Sequence, residues 1–222
     1  MSDLSRAAFF RLEGTLSSRS TTAVAAWMAS HAQAFSDRLS RLGAVAMATP
    51  FRTVLRDAAT ATRLSWSGVR GLSEDRLIIL GEEHFEEFYR GQLNSLGLDF
   101  LHTAKTEGLT PVLISDSLDV LVQPLADHLE INHIICNRME LRNGKATGRL
   151  VSPISTGRVS GQHLRELAGA NQWDLMSCRG YGSQETDITL LSALGQPCTV
   201  HPDRDLRAIA QDLQWPIVEG SP

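Results

Sequence analysis

Charged and hydroxyl residues follow three short apolar segments of this 222-residue chain, at residues 11–15, 115–117 and 182–187. The carboxyl ends of parallel strands meet at one edge of a sheet, and ligands bind outside that edge. Carboxylates such as Glu13 and Asp187 can move protons or ligate a divalent cation, whereas a guanidinium such as Arg11 holds anions. If the three segments end parallel strands, the sequence predicts one polar site built from all three.

The pattern of apolar residues supports that placement. Residues 7–10 form an apolar run that ends at Glu13-Gly14-Thr15, and residues 20–100 are Ala-rich with helical spacing, including a helix that Ser73 is expected to cap. From residue 110 onward strands alternate with helices, which is typical of βαβ units. The predicted strands are 110–115, 133–136, 176–181 and 197–200, the predicted helices 118–129, 160–171, 186–194 and 203–213, and a hairpin turns at Asn143-Gly144. The expected fold class is α/β, a doubly wound Rossmann-like parallel sheet with a helical cap inserted after the first strand.

Composition excludes several functional classes. Hydrophobic residues make up 42% and charged residues 21% of the chain, as in ordinary globular proteins. The net charge of −4 argues against electrostatic binding of nucleic acid. No apolar stretch is long enough to span a membrane, the first residues lack a signal-peptide pattern, and the three cysteines fit no zinc spacing. We therefore expect a soluble cytoplasmic protein.

Three segments resemble the motifs of the haloacid dehalogenase superfamily. AFFRLEGTL resembles the first motif (strand, Asp-x-Asp-Gly-Thr-Leu), VLISDS the second, and GYGSQETDITLL the fourth. The segment NRMELRNGKATGRL and the C-terminal part are similar to the phosphoserine-phosphatase-like branch, so that the resemblance covers essentially the whole chain in motif order. The resemblance implies a Rossmann-like core at 1–19 and 101–222, a helical cap at 20–100, and magnesium-dependent phosphomonoester hydrolysis.

The motifs depart from the family pattern at the positions that carry the reaction. Arg11 stands where the family has the nucleophilic Asp, Glu13 replaces the acid that protonates the leaving group, and Ser183 replaces a magnesium ligand. No Lys lies in the third-motif region, where Arg158 is the nearest cation. A guanidinium has no lone pair with which to attack phosphorus. The sequence therefore predicts that aspartyl-phosphate catalysis and the magnesium ion are both lost.

The leading hypothesis is a pseudophosphatase that binds a phosphorylated small molecule or a protein partner. The expected binding residues are Arg11, Glu13, Gly14, Thr15, Ser115, Asp116, Arg158 and Asp187, with no metal and no other cofactor. An active phosphatase in which Asp116 or Asp187 has taken over catalysis is the alternative, although Asp116 is expected to point away from Ser115 because side chains alternate along a strand. A further alternative is an interaction protein that uses its cap surface, and the oligomeric state stays open.

Arg11 is also expected to take the place of the lost cation. Residues 11 and 13 are two apart on an extended segment, so their side chains leave the same face. Arg11 should then lie within about 4 Å of Glu13, Asp187 or both. The summed charge of Arg11, Glu13, Ser183 and Asp187 is −1, the same value that the family's acids, Lys and metal would give.

Overall fold

A six-stranded parallel sheet forms the centre of the molecule. The computed structural model describes residues 5–31, 35–55, 57–156 and 161–220. The strands are β1 (Ala7–Arg11), β2 (Thr110–Leu118), β3 (His133–Asn137), β4 (Met139–Arg142), β5 (Lys145–Leu150), β6 (Arg179–Gly182), β7 (Gln196–Val200) and β8 (Ile217–Val218). The sheet order is β3-β2-β1-β6-β7-β8, while β4 and β5 pair antiparallel as a separate hairpin. The predicted fold class and the hairpin at Asn143-Gly144 are confirmed.

Strand β1 lies in the middle of the sheet because its sequence is apolar on both faces. Every residue of AAFFR is buried, as expected for a strand that is covered by helices on both sides. Arg11 pairs with Ile114 of β2, and Phe10 pairs with Tyr181 of β6. Both neighbours run parallel to β1, and therefore the three polar segments end at the same edge of the sheet.

Helices cover the sheet and fill the long connection after β1. They are α1 (Thr21–Ser30), α2 (Phe35–Ala46), α3 (Ala48–Thr53), α4 (Ala58–Ser67), α5 (Glu74–His84), α6 (Ser95–Thr106), α7 (Asp119–His128), α8 (Gly161–Asn171), α9 (Ile188–Leu191) and α10 (Arg204–Asp212). A π-helical turn, Phe85–Tyr89, continues α5. The Ser73 side chain accepts the amide of Arg76, which confirms the predicted N-cap of α5. No helix among the described residues is long and apolar enough to cross a membrane.

The helices before residue 100 share an apolar cluster with the β4–β5 hairpin. Met28 of α1 and Trp66 of α4 pack in the same cluster as Met139 and Ala146 of the hairpin. Helix α6 spans the predicted boundary at residue 100, and its Leu101 packs instead with the cluster beneath the sheet. The division into a core at 1–19 and 101–222 and a cap at 20–100 stays a prediction.

The sequence prediction of element bounds was inexact between residues 175 and 194. A 3-10 turn, Leu175–Ser177, precedes β6, and the predicted helix 186–194 is a 3-10 turn at Glu185–Asp187 followed by the short α9. After α9 the chain packs against the Leu175–Ser177 turn, where the Gly195 amide donates to the Leu175 carbonyl, 3.0 Å away. A Cβ at Gly195 would lie 1.8 Å from the Met176 carbonyl oxygen. Strand β8 was not predicted.

Candidate active site

Arg11 lies at the carboxyl end of β1 and is surrounded by acids. Its side chain is 1% exposed. Nη2 lies 3.3 Å from Glu13 Oε2 and 3.2 Å from Asp116 Oδ1, and Nε lies 2.9 Å from Asp187 Oδ1. The expected ion pairs of Arg11 with Glu13 and Asp187 are therefore both present. We call these four residues the Arg11 cluster.

Glu13 has a neighbour at each of its carboxylate oxygens. Oε2 faces Arg11, while Oε1 accepts the Ser115 hydroxyl at 2.7 Å, the Asp116 amide at 3.1 Å and the Thr21 hydroxyl at 3.4 Å. Three segments of the chain, the end of β1, the start of α1 and the end of β2, thus meet at this one side chain. Ser115, which the motif resemblance selected, belongs to the site.

Asp116 was predicted to lie near the site but to point in a different direction from Ser115, and the second part of that prediction was wrong. Between Ile114 and Leu118 the chain of β2 advances four residues, while the paired residues of β3, Ile135 and Asn137, are only two apart. A bulge of this kind interrupts the alternation of side chains and can turn consecutive residues toward one side. Ser115 and Asp116 consequently both reach the Arg11 cluster, the first through Glu13 and the second through Arg11 itself.

Asp187 is held by the segment that follows β6. Its Oδ2 accepts the amides of Ser183 and Gln184, at 2.8 and 3.0 Å, while its Oδ1 faces Arg11. Ser183 itself donates to the Val200 carbonyl, and its hydroxyl lies 3.0 Å from that of Thr15. Ser183 therefore joins the loop after β1 to β7 and lies beside the Arg11 cluster without contacting Arg11 directly.

Gly14 is required by its backbone conformation and by the neighbouring loop. Its φ is +87°, and a Cβ there would lie 2.6 Å from the Cβ of Ser183. Any other residue would be strained and would push the segment carrying Ser183 outward. The sequence prediction named Gly14 and Thr15 as ligand-binding, and in the structure both help to seat that segment. Arg158, also predicted, lies outside the described residues.

Burial and the neighbouring charges change the acidities of the cluster. Burial raises the pKa of Asp187 to about 6, although Arg11 and two amide hydrogen bonds oppose the change. Burial also raises the pKa of Glu13, with Arg11 opposing and Asp116 adding to the rise. Burial opposes the charge of Arg11, but the three acids raise its pKa overall, so its guanidinium is permanently charged.

The charge of the cluster differs from the value of −1 that was expected from the sequence. Counting Asp116 with Arg11, Glu13 and Asp187 gives +1 − 3 = −2 when every acid is ionised. The raised pKa values of Glu13 and Asp187 mean that uptake of a proton is easier here than in water. One added proton would return the total to −1, the balance expected from the sequence.

Three further residues, which the sequence reasoning missed, support Asp116. Its backbone carbonyl accepts Asn137 Nδ2 at 2.7 Å and Trp66 Nε1 at 3.1 Å, and its Oδ1 accepts the Ser155 hydroxyl at 3.4 Å. Asn137 ends β3 at the same sheet edge, so the strand-end rule that found the other residues would have found it too. Nothing in the sequence marks Trp66 of α4 or Ser155 as neighbours of Asp116.

The donor set does not fit a magnesium ion. Glu13 Oε1 and Asp187 Oδ2 accept hydrogen bonds, while Glu13 Oε2 and Asp187 Oδ1 face the guanidinium of Arg11, which lies between the two carboxylates. Mg²⁺ requires near-octahedral coordination by oxygen lone pairs, and it repels a neighbouring cation. No cluster of three or more His, Cys, Asp or Glu residues suited to a metal occurs among the described residues.

Comparison with known proteins decides the family. A family model for haloacid dehalogenase-like hydrolases matches residues 8–192. The chain belongs to that family. A Mycobacterium tuberculosis protein named as a probable phosphatase is 34% identical over 123 residues, which cover 55% of this chain and 42% of the relative. A phosphoserine phosphatase of the same organism is 27% identical over 161 residues, covering 72% and 52%. The haloacid dehalogenase-like chain described here is thus similar to the phosphoserine phosphatase branch, as its motifs predicted.

A solved structure extends the likeness to nearly the full fold. A protein of unknown function from Bordetella pertussis Tohama I superposes with a TM-score of 0.83 at 21% identity, covering 96% of this chain and 98% of that one. At this identity the likeness concerns the fold alone. The chain spans about two fifths of the length of the curated relatives that it matches at 33–34% identity.

Proposed function

We propose that this family member has lost the aspartyl-phosphate reaction and acts by binding. The observation that supports the proposal is the state of Arg11, which stands at the nucleophile position, is buried, and is paired with three acids. A residue in this position must attack phosphorus with a lone pair, and a guanidinium has none to give. The same guanidinium replaces the metal ion as the cation that balances the acids.

The ligand in this proposal is a phosphorylated small molecule or a protein partner. For the former, Arg11 Nη1 is buried and has no hydrogen-bond partner among the described residues, so it can donate to an anion. For the latter, the residues that flank α3 include large exposed apolar side chains, with Met47 59%, Val54 76% and Leu55 62% exposed. Exposed apolar side chains that lie together are typical of interaction sites. The proposed location is the cytoplasm, where the free thiols of Cys136, Cys178 and Cys198 would stay reduced.

A phosphatase assay tests the loss of catalysis. The wild-type protein is expected to release no phosphate from p-nitrophenyl phosphate or phosphoserine, with or without millimolar magnesium. A reproducible magnesium-dependent turnover that co-purifies with the folded protein would contradict the proposal. A thermal-shift screen with phosphoserine and other phosphorylated metabolites, in the same buffers, tests binding without turnover, because a ligand stabilises only the state that it binds.

The variant Arg11→Asp restores the family's nucleophile and sharpens the test. We expect it to remain inactive, because Ser183 still replaces a metal ligand and groups that act as a unit are not repaired singly. The double variant Arg11→Asp/Ser183→Asp is the matched comparison. Turnover in the single variant would show that the remaining residues still suffice for the reaction.

An active phosphatase with a relocated nucleophile is the second candidate function. Relatives named as phosphatases favour it, and the position of Asp116 inside the cluster provides a carboxylate close to the family's site. In this case activity would be present in the wild-type protein and abolished in Asp116→Asn. An Asp116→Asn variant that folds and keeps the wild-type rate would exclude Asp116 as the nucleophile.

A further inference from the structure

The main-chain carbonyl of Asp116 is held from two sides at the bulge of β2. Trp66 Nε1 donates to it at 3.1 Å and Asn137 Nδ2 at 2.7 Å. In the described strand pairing, residues 115–117 have no partner on β1 or β3, because the register of β2 breaks after Ile114. The two side-chain donors therefore replace the strand hydrogen bonds that would otherwise orient this carbonyl.

The two donors come from different parts of the fold. Asn137 ends β3, in the sheet, whereas Trp66 belongs to α4, in the helical region that precedes residue 100. The Trp66 side chain is 0% exposed and packs in the apolar cluster that contains Leu118 and Leu121. The indole N–H is the only donor of this side chain, and a displacement of α4 would leave it buried without a partner. The position of α4 and the conformation of the bulge are thus linked through one hydrogen bond.

The bulge decides where the Asp116 carboxylate lies. In a regular strand Ser115 and Asp116 leave opposite faces, and only one of them reaches the Arg11 cluster. Here the Asp116 amide donates to Glu13 at 3.1 Å, and Asp116 Oδ1 lies 3.2 Å from Arg11 Nη2. Loss of the bulge would withdraw this carboxylate and change the summed charge of the cluster from −2 to −1 when every acid is ionised.

We propose that Trp66 is a positioning residue for the Arg11 cluster: its indole N–H holds the β2 bulge so that the Asp116 carboxylate faces Arg11. Helix α4 thereby controls the charge of the site, because release of the carbonyl by Trp66 allows the strand to regain the regular alternation of side chains. The proposal rests on the function proposed above, in which the Arg11 cluster is the binding site, and adds the regulation of that site by α4. A cluster of charge −1 repels an anionic ligand less than one of −2, and therefore the hydrogen bond from Trp66 opposes binding of the ligand.

An NMR titration of the Glu13 carboxyl carbon, in protein with isotope-labelled glutamate side chains, tests the position of Asp116 without any ligand. Burial raises the pKa of Glu13, Arg11 opposes the rise, and the Asp116 carboxylate adds to it. Asp116→Asn is therefore expected to lower the midpoint of the titration. Trp66→Phe, which keeps an aromatic ring but removes the N–H, should produce at least half of that shift. A midpoint in folded Trp66→Phe equal to that of wild type would overturn the proposal.

Two further proteins separate the hydrogen bond from packing. Leu80→Val removes volume from the same apolar cluster without removing a hydrogen bond, and it should leave the Glu13 midpoint at its wild-type value. Benzothienylalanine at position 66 keeps the shape of the indole but has sulfur in place of the N–H, and it should reproduce the shift of Trp66→Phe even if the Phe variant does not fold. An unchanged midpoint with benzothienylalanine, or an equal shift in Leu80→Val, would contradict the role of the indole N–H.

Calorimetric titration with inorganic phosphate tests the consequence for binding. Trp66→Phe is expected to bind phosphate at least about threefold more tightly than wild type, because one negative charge has left the cluster. Equal or weaker binding, including no binding by either protein, would overturn the control of binding by α4. A screen in which no phosphorylated metabolite binds the wild-type protein contradicts the proposed function instead, and the Glu13 titration still reports the position of Asp116. The two failures are therefore distinguishable.

Discussion

Two arginines of this protein whose Nε and Nη2 are covered from solvent differ in the partners of those nitrogens. Arg11 has three carboxylates within 3.3 Å of its Nε and Nη2, whereas the Nε and Nη2 of Arg52 have no hydrogen-bond partner among the described residues. Ion pairs hold Arg11 through Nε and Nη2, whereas no hydrogen bond within the described residues holds the same two nitrogens of Arg52. The comparison teaches that a cation at a strand end or cleft is not evidence of binding until its partners are known.

The largest effect is expected when Arg11 is replaced. Arg11→Gln leaves three buried acids without their cation and should lower the free energy of unfolding by about 3–5 kcal/mol at pH 7.5. The loss should be smaller at pH 5, where Glu13 and Asp187, with their raised pKa values, can be protonated. Urea unfolding of wild type and Arg11→Gln at both pH values measures the loss in the free energy of unfolding. A variant as stable as wild type would show that the cluster does not depend on its cation.

A buried histidine extends the comparison to another unpaired group. His84 is fully buried, its two ring nitrogens have no hydrogen-bond partner in the described structure, and burial lowers its pKa to about 4, with Arg19 adding to the effect. As the pH is lowered from 6.5 to 4, the unfolded chain therefore takes up a proton that the folded protein does not. The free energy of unfolding decreases by about 3 kcal/mol as the pH is lowered through this window. His84→Gln should remove this part of the pH dependence of urea unfolding, and an unchanged slope would contradict the expectation.

Asp187 should produce the opposite pH dependence. Its pKa is raised to about 6, and the folded state consequently binds a proton that the unfolded state has released. The stabilisation linked to that proton is present below about pH 4 and is lost as the pH rises through 6, by about 2–3 kcal/mol. The difference between wild type and Asp187→Asn, measured from pH 4 to 7, should show this trend. His84→Gln serves as the background in which the two effects are separated.

The smallest effect is expected at Arg52. Arg52→Gln breaks no hydrogen bond of the described structure and should change the free energy of unfolding by no more than about 0.5 kcal/mol in the absence of ligand. Arg11→Gln and Arg52→Gln change the same residue type in the same way, one with carboxylate partners and one without hydrogen-bond partners. Each variant is therefore the control for the other. Equal losses in the two variants would contradict the contrast drawn between them.

The sequence by itself determined which segments form parallel strands and that polar residues follow them. The apolar residues 7–10 and 110–115, each followed by polar side chains, were sufficient to predict two parallel strands of one sheet and a shared polar edge. The spacing of Arg11 and Glu13 was enough to predict that they lie on one face and pair. These features are local: they depend on which residues end a strand and on the alternation of side chains.

Only the tertiary structure decided the features that depend on register and on distant segments. Asp116 joins the Arg11 cluster because a bulge against β3 interrupts the alternation of β2, and no pattern within residues 110–118 reveals that pairing. Trp66 reaches the Asp116 carbonyl across 50 positions of the chain, and Arg52 lines the same cavity as acids that are more than 130 positions away. Such contacts arise from how elements pack, and packing depends on the whole chain, whereas a motif depends on a few residues.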